Sequence, residues 1–265
     1  MISRAPGIRV EARPGVVEVT LDRPERLNAL TLDAYRLLPE VMGEVARDRS
    51  VRVVLFRGAG GQAFSAGTDV AVLGDIHTGS DGIGYEELVG RALSAVRESD
   101  AVTVAAVQGI CAGGGLALAV HCDLRVATRS ARFGYPIART MANLVSASVL
   151  ERSIAVFGDP LVREMLLLSR FVDASRAHAV GAVVEVVPDL EIDEAAAALV
   201  EALVTAAPGT TWATKRQLTV PSRGTSGAHD ESELIARVYA SADFRRGLAG
   251  FATGSAPGFG RDRWV

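Results

Sequence analysis

Residues 107–123, V-Q-G-I-C-A-G-G-G-L-A-L-A-V-H-C-D, constrain this chain more than any other stretch. Three consecutive glycines, Gly113, Gly114 and Gly115, follow an apolar β-type run and open a small-residue apolar segment, so a strand should turn sharply there into a buried helix. The first N–H groups of a helix have no acceptor inside it, and glycines let a ligand atom approach them closely. The helix dipole adds partial positive charge at the same place. Tight backbone packing is the plainer use of such a triplet. A second segment of the same character, Phe64-Ser65-Ala66-Gly67-Thr68-Asp69, follows another strand-like run at 51–57. Two such loops can each aim one N–H at a single oxygen, which is how an oxyanion hole is built.

Composition narrows the classes of function. With 265 residues, 49% hydrophobic and 22% charged, the chain is long enough to bury a large core. A formal net charge of −3 gives no electrostatic case for nucleic acid. Cys111 and Cys122, the only cysteines, lie in the apolar central stretch and read as buried thiols, with no disulfide framework. No apolar run has the length of a membrane span and residues 1–7 carry no signal-peptide pattern, so the expectation is a cytoplasmic protein without a membrane partner.

In chain order, residues 16–22 alternate as a half-buried strand that Pro24 ends, and a helix bearing Leu32, Tyr35, Leu38 and Val45 follows, with Pro39 threatening its middle. Strands are expected at 51–56, 102–107, 123–128 and 183–187. Residues 74–84 read as a mobile loop carrying His77 and Asp81, then a helix over 85–99 begins with Tyr85. Ser148 and Glu151 have the spacing of a capping box for the helix toward Phe157, residues 161–169 read as a helix, and Asp173 should cap the one after. After residue 192 only helical patterning remains. Two local motifs are decoys: residues 58–63 match G-x-G-x-x-A with no helix behind them, and Ser65 lies too far from its strand for a nucleophile elbow. The alternation implies an α/β core over residues 1–190 and a helical region over 191–265.

Residues 21–31 (L-D-R-P-E-R-L-N-A-L-T), 64–69 (F-S-A-G-T-D), 108–123 and 167–187, with Ser241-Ala242-Asp243-Phe244-Arg245 beyond, resemble in order and spacing the signatures of the crotonase superfamily, the enoyl-CoA hydratases and isomerases. The resemblance covers almost the whole chain. It implies an α/β fold, a crotonase-like spiral of ββα units with a C-terminal helical oligomerisation region packing a homotrimer or a dimer of trimers. It implies an acyl-CoA substrate of fatty acid metabolism, coenzyme A being part of the substrate, with no separate cofactor and no metal. The thioester carbonyl would be held by the backbone N–H groups of Ala66 and Gly114. Arg26 and the stretch Ala66, Gly67, Thr68 and Asp69, with Gly113 and Gly114, would flank the substrate, and Phe251 would reach it from a neighbouring subunit. Gly254 stands where a coenzyme A lysine is expected.

The chain departs from the family where protons move. The resemblance places two hydratase glutamates at positions occupied here by Ala117 and Ile137, neither of which transfers a proton. Arg139, Thr140 and Asn143 then become the polar candidates for the acyl end, with Tyr135 able to turn its hydroxyl inward and a group from the 74–85 loop as a substitute acid or base. Three functions follow: an enolate-stabilising acyl-CoA lyase or isomerase with weak hydratase activity, a decarboxylase of malonyl-type CoA esters, or a non-catalytic acyl-CoA binder.

Overall fold

A computed structural model of the chain describes residues 2–5, 7–74, 76–219, 238–253 and 258–259. The strands β1 (Ile2–Ala5), β2 (Ile8–Arg13) and β3 (Val16–Leu21) form an antiparallel meander, and α1 (Leu32–Arg47) follows. Pro39 does not end α1, because its buried face of Tyr35, Leu38, Val41, Met42 and Val45 holds the helix against the core at the cost of one backbone bond.

The chain then repeats one pattern three times: a strand in a large sheet, a short strand in a small sheet, and a helix. The first turn is β4 (Val53–Gly58), β5 (Ala63–Ser65), the single turn α2 (Val70–Leu73) and α3 (Gly79–Arg97). The second is β6 (Val102–Val107), β7 (Ile110–Ala112) and α4 (Gly113–His121). The third is β8 (Leu124–Thr128), β9 (Arg132–Gly134), the short α5 (Ile137–Thr140) and α6 (Ala147–Phe157). Next come α7 (Asp159–Leu167), β10 (Val172–Asp173), α8 (Ala174–Ala179), β11 (Glu185–Val187), α9 (Ile192–Thr205), α10 (Pro208–Thr219) and α11 (Ala242–Thr253).

The large sheet has the order β1-β2-β3-β4-β6-β8-β11, parallel from β3 onward, and the small one the order β10-β9-β7-β5, parallel except at β10. Period-two patterning divides the large sheet. Val54, Phe56, Ala105 and Val107 face α1, α3 and α4 in the main core, while Val53, Leu55, Val104 and Ala106 face Ile192, Ala196 and Val200 of α9. So α9 covers the α/β layer itself. In α10, Lys215 Nζ donates to the Ala101 carbonyl at 2.8 Å and pairs with Asp123 at 2.7 Å. The division at residue 190 therefore marks a change of element type and not a gap in packing.

Two local expectations are corrected, and one feature is new. Most of the supposed 74–84 loop is helix, because Thr78 and Asp81 close a capping box that starts α3 six residues before Tyr85. The Ser148–Glu151 box does not form: Ser146 sits at the N-cap of α6 and Ser148 lies inside its first turn. The second sheet, built of two- and three-residue strands, has no signature in the sequence, since runs that short carry no periodicity. Asp173 does cap α8, accepting from Arg176 N at 2.8 Å. Among the described residues no helix is long and apolar enough to cross a membrane.

Candidate functional site

β5 and β7 lie side by side and parallel, so the chain leaves both strands at the same end and the segments after Ser65 and Ala112 are adjacent. Gly67 (φ +118°) and Gly113 (φ +50°) take backbone conformations open to glycine. A Cβ on Gly67 would stand 3.4 Å from Gly114 N, and one on Gly114 would stand 3.4 Å from Thr68 N and collide with the Tyr35 hydroxyl. One on Gly115 would meet Ser65, its carbonyl oxygen at 2.5 Å. The triplet thus permits the close approach of two loops, which is the packing use. It also leaves α4 starting with bare N–H groups.

Which N–H groups stay free is settled by the turn at residues 27–30. Asn28, buried and at φ +56°, donates through Nδ2 to the Ala59 and Ala63 carbonyls at 2.9 and 2.7 Å and accepts from Arg23 N at 3.0 Å. This clasps the turn onto the loop after β5. Ala66 N donates to the Leu27 carbonyl at 2.9 Å, Leu30 N to Gly67 O at 2.7 Å, Asp69 N to Leu30 O at 2.9 Å, and Gly67 N to Ser65 Oγ at 3.2 Å. The assignment of Ala66 as an oxyanion donor is therefore corrected: its N–H is spent inside the protein. The two bonds of Leu30 flank Thr68 in a parallel bridge, which turns the Thr68 N–H to the opposite side, toward Gly114. Neither Thr68 N nor Gly114 N has an acceptor among the described residues.

The Thr68 side chain is held by two tyrosines. Its Oγ1 lies 2.8 Å from the Tyr35 hydroxyl and 2.7 Å from that of Tyr85. Burial raises the pKa of both phenols, so they remain neutral and the three hydroxyls form one chain of hydrogen bonds beside the glycines. Neither Tyr35 nor this chain was foreseen, although Tyr35 stood in the expected helix. The signal available was a tyrosine among aliphatic face residues, whose hydroxyl needs a partner once buried.

A cavity of about 280 Å³ opens against Thr68 and Gly114. Ala117 and Ile137 line it, as do Tyr135, Thr140 and Asn143. Arg139 does not: α5 is a single turn and carries it out to solvent. The Thr140 hydroxyl donates to the Pro136 carbonyl at 3.0 Å, and that of the buried Tyr135 is bonded to Ser153 Oγ at 2.8 Å, leaving Asn143 as the uncommitted member. Ser65 is fully buried and absent from the lining, and the 58–63 glycines join β4 to β5 with no helix, so both decoys are excluded. Glu86, on α3 next to Tyr85, is the one Asp, Glu or His among the described lining residues, and burial raises its pKa. Sequence reasoning placed a substitute group in the loop before it. His121 points back along α4 to the Ala117 carbonyl at 2.7 Å, and burial pulls its pKa down to about 4.

At the mouth, Asp69 accepts from Ala71 N at 3.0 Å to cap α2 and pairs with Arg23 at 2.7 Å, which holds its carboxyl below the usual range. Arg26 is exposed at the end of the 24–26 turn. Phe251 lies in α11, but its side chain is outside the described residues, as is Gly254. Among the described residues no group of His, Cys, Asp and Glu is placed to hold a metal. Cys111 and Cys122 are free and buried; burial pushes the Cys122 thiol up to about 12.

A model of the enoyl-CoA hydratase/isomerase family matches residues 11–262. A probable enoyl-CoA hydratase of Mycobacterium bovis is 32% identical, covering 94% of this chain and 91% of the relative. A short-chain-enoyl-CoA hydratase of Clostridium acetobutylicum is 27% identical over 91% of this chain and 93% of its own length. Among solved structures, an enoyl-CoA hydratase/carnithine racemase from Magnetospirillum magneticum superimposes with a TM-score of 0.89 at 31% identity, covering 98% of this chain and 97% of the other.

Proposed function

The chain belongs to the enoyl-CoA hydratase/isomerase family and has its crotonase-like α/β fold, and on that premise we propose that it is an enzyme that stabilises the enolate of an acyl-CoA thioester between the N–H groups of Thr68 and Gly114. The observation that carries the reading is the pair itself: two unclaimed main-chain donors on adjacent loops, beside a cavity, when every other N–H from residue 66 to 69 is engaged. Fixed donors of this kind stabilise negative charge as it develops on a carbonyl oxygen, and one of them is typically worth about 10²–10³ in rate.

Hydration needs a base to activate water and an acid to protonate the α-carbon. Ala117 and Ile137 supply neither, so we expect slow hydration of short enoyl-CoA esters. Each missing group is ordinarily worth about 10²–10⁴. Coenzyme A would run past Arg26 and the Gly67–Asp69 segment, with Phe251 of a neighbouring subunit completing the site in a homotrimer or a dimer of trimers, in the cytoplasm. Calorimetry with saturated acyl-CoA esters, together with a spectrophotometric hydration assay on crotonyl-CoA, tests the reading. Binding with hydration far below the rate of a glutamate-bearing relative is the expected result; absence of binding contradicts it.

A second reading is favoured by the same two apolar replacements. Decarboxylation of a malonyl-type CoA ester needs enolate stabilisation but no base, because carbon dioxide leaves its bonding electrons in the enolate. Release of carbon dioxide from malonyl- and methylmalonyl-CoA would select it.

A further inference from the structure

We propose that Glu86 is the proton-transfer group of this site, taking a proton from the acyl chain and returning it at another carbon, so that the preferred reaction is the shift of a carbon–carbon double bond in an unsaturated acyl-CoA. The proposal rests on the acyl-CoA reading above. Tyr85, Glu86 and Val89 of α3 all line the cavity, and the Tyr85 hydroxyl lies 2.7 Å from Thr68 Oγ1, so this face of the helix is tied to the residue that supplies one oxyanion donor. Glu86 also lines an adjoining groove of about 780 Å³, walled by Leu73, Ile83, Met141 and Leu144. It therefore stands where the cavity opens into the groove, on the path of an acyl chain that leaves a thioester held at Thr68 and Gly114.

Its surroundings set it apart from the other carboxylates of the helix. Glu87 faces the groove only and has Arg91 within 3.9 Å. Asp81 is occupied in the capping box. Glu86 has neither a hydrogen bond nor an ion pair from the described residues, although it is half-buried. A carboxyl kept partly dry and unpaired costs stability, and nothing in the packing of α3 uses it. Desolvation raises its proton affinity, which suits a group that must both take and give a proton.

The step balances without water or any co-reactant. The Glu86 carboxylate removes a proton from the carbon between the double bond and the thioester of a 3-enoyl-CoA. The C–H electron pair enters the dienolate, whose oxygen is held by the two N–H groups. The carboxylic acid then delivers the proton to the far end of the dienolate, giving the conjugated 2-enoyl-CoA. One carboxylate suffices for this, whereas hydration calls for two groups.

The test follows conversion of 3-hexenoyl-CoA to its conjugated isomer by ultraviolet absorbance, using the full chain. Wild type should turn over, Glu86→Gln should lose about 10²-fold or more in kcat with KM within a few-fold, and Glu86→Asp should keep part of the rate. Solvent-deuterium incorporation into the recovered ester should fall in parallel. Unchanged turnover in Glu86→Gln overturns the role of Glu86 and leaves the acyl-CoA reading standing. Absence of both turnover and deuterium exchange in wild type, across acyl groups that calorimetry shows to bind, overturns the double-bond shift and leaves the acyl-CoA reading standing, whereas absence of binding overturns both.

Discussion

The loops that follow β5 and β7 and the segment that follows β9 occupy equivalent places in successive turns of the spiral, yet they are built differently. In the first two, glycines at 67, 113, 114 and 115 bring backbones into contact, Asn28 and Leu30 fix the strand from behind, and the N–H groups of Thr68 and Gly114 have no acceptor among the described residues. The third turn breaks into the four-residue α5 and a run from Ala138 to Leu144 that is exposed throughout, with Ala142 held at φ +54°. The difference separates two jobs. On the proposed reading, charge stabilisation draws on donors fixed in advance, and these sit where the two loops pack backbone against backbone. On the same reading the choice of reaction depends on the side chains around the acyl group, which come from the exposed third turn and from α3.

The strongest way to break this contrast is to disturb the rigid side. Gly114→Ala places a methyl where the buried Tyr35 hydroxyl lies, 3.0 Å from Thr68 Oγ1, and must displace that hydroxyl and with it the hydrogen bond that holds Thr68. Turnover should fall by about 10²–10³-fold, measured as kcat/KM; an equal loss from Asn143→Ala in the third turn would erase the distinction. Next is Asn28→Ala, which strands three backbone groups in a site that Asn28 leaves 2% exposed. Its cost in urea unfolding should be on the order of 3 kcal/mol, with activity falling further as Ala66 N and Leu27 O lose register. The smallest effect concerns the mouth. The Asp69 carboxyl is held low by Arg23 first and then by Ala71 N, with Arg26 adding attraction. A group depressed on folding stabilises above its unfolded value, near pH ~4, and that stability is lost as pH falls through the folded value. Asp69→Asn should therefore unfold more easily than wild type at neutral pH and converge with it in acid. A gap that instead widened toward low pH would mean that the ion pair with Arg23 does not set the carboxyl.

Much of the fold was legible. The strands at 102–107 and 124–128 and the helix opened by the glycine triplet announce themselves through β-branched runs and glycine punctuation. The unbonded N–H groups behind the proposed donor pair were half legible. Gly114 follows from its place at a helix start, where N–H groups are necessarily free, but the choice between Ala66 and Thr68 depends on a bridge to Leu30, thirty-eight residues before Thr68, that no local pattern encodes. The start of α3 was missed because Gly79, Gly82 and Gly84 outweighed the Thr78 and Asp81 cap. Glu86 escaped for a related reason: it stands out only because no other carboxylate lines the cavity among the described residues, a property of the assembled walls and not of the segment.

The proposed pairing of Thr68 N with Gly114 N stands most directly on where a thioester oxygen goes. A crystal structure of the full chain with a bound saturated acyl-CoA should place the carbonyl oxygen within about 2.7–3.1 Å of both Thr68 N and Gly114 N, with Ala66 N still donating to Leu27 O. An oxygen lying elsewhere in the cavity, or held by an Ala66 N–H released from Leu27, would contradict it.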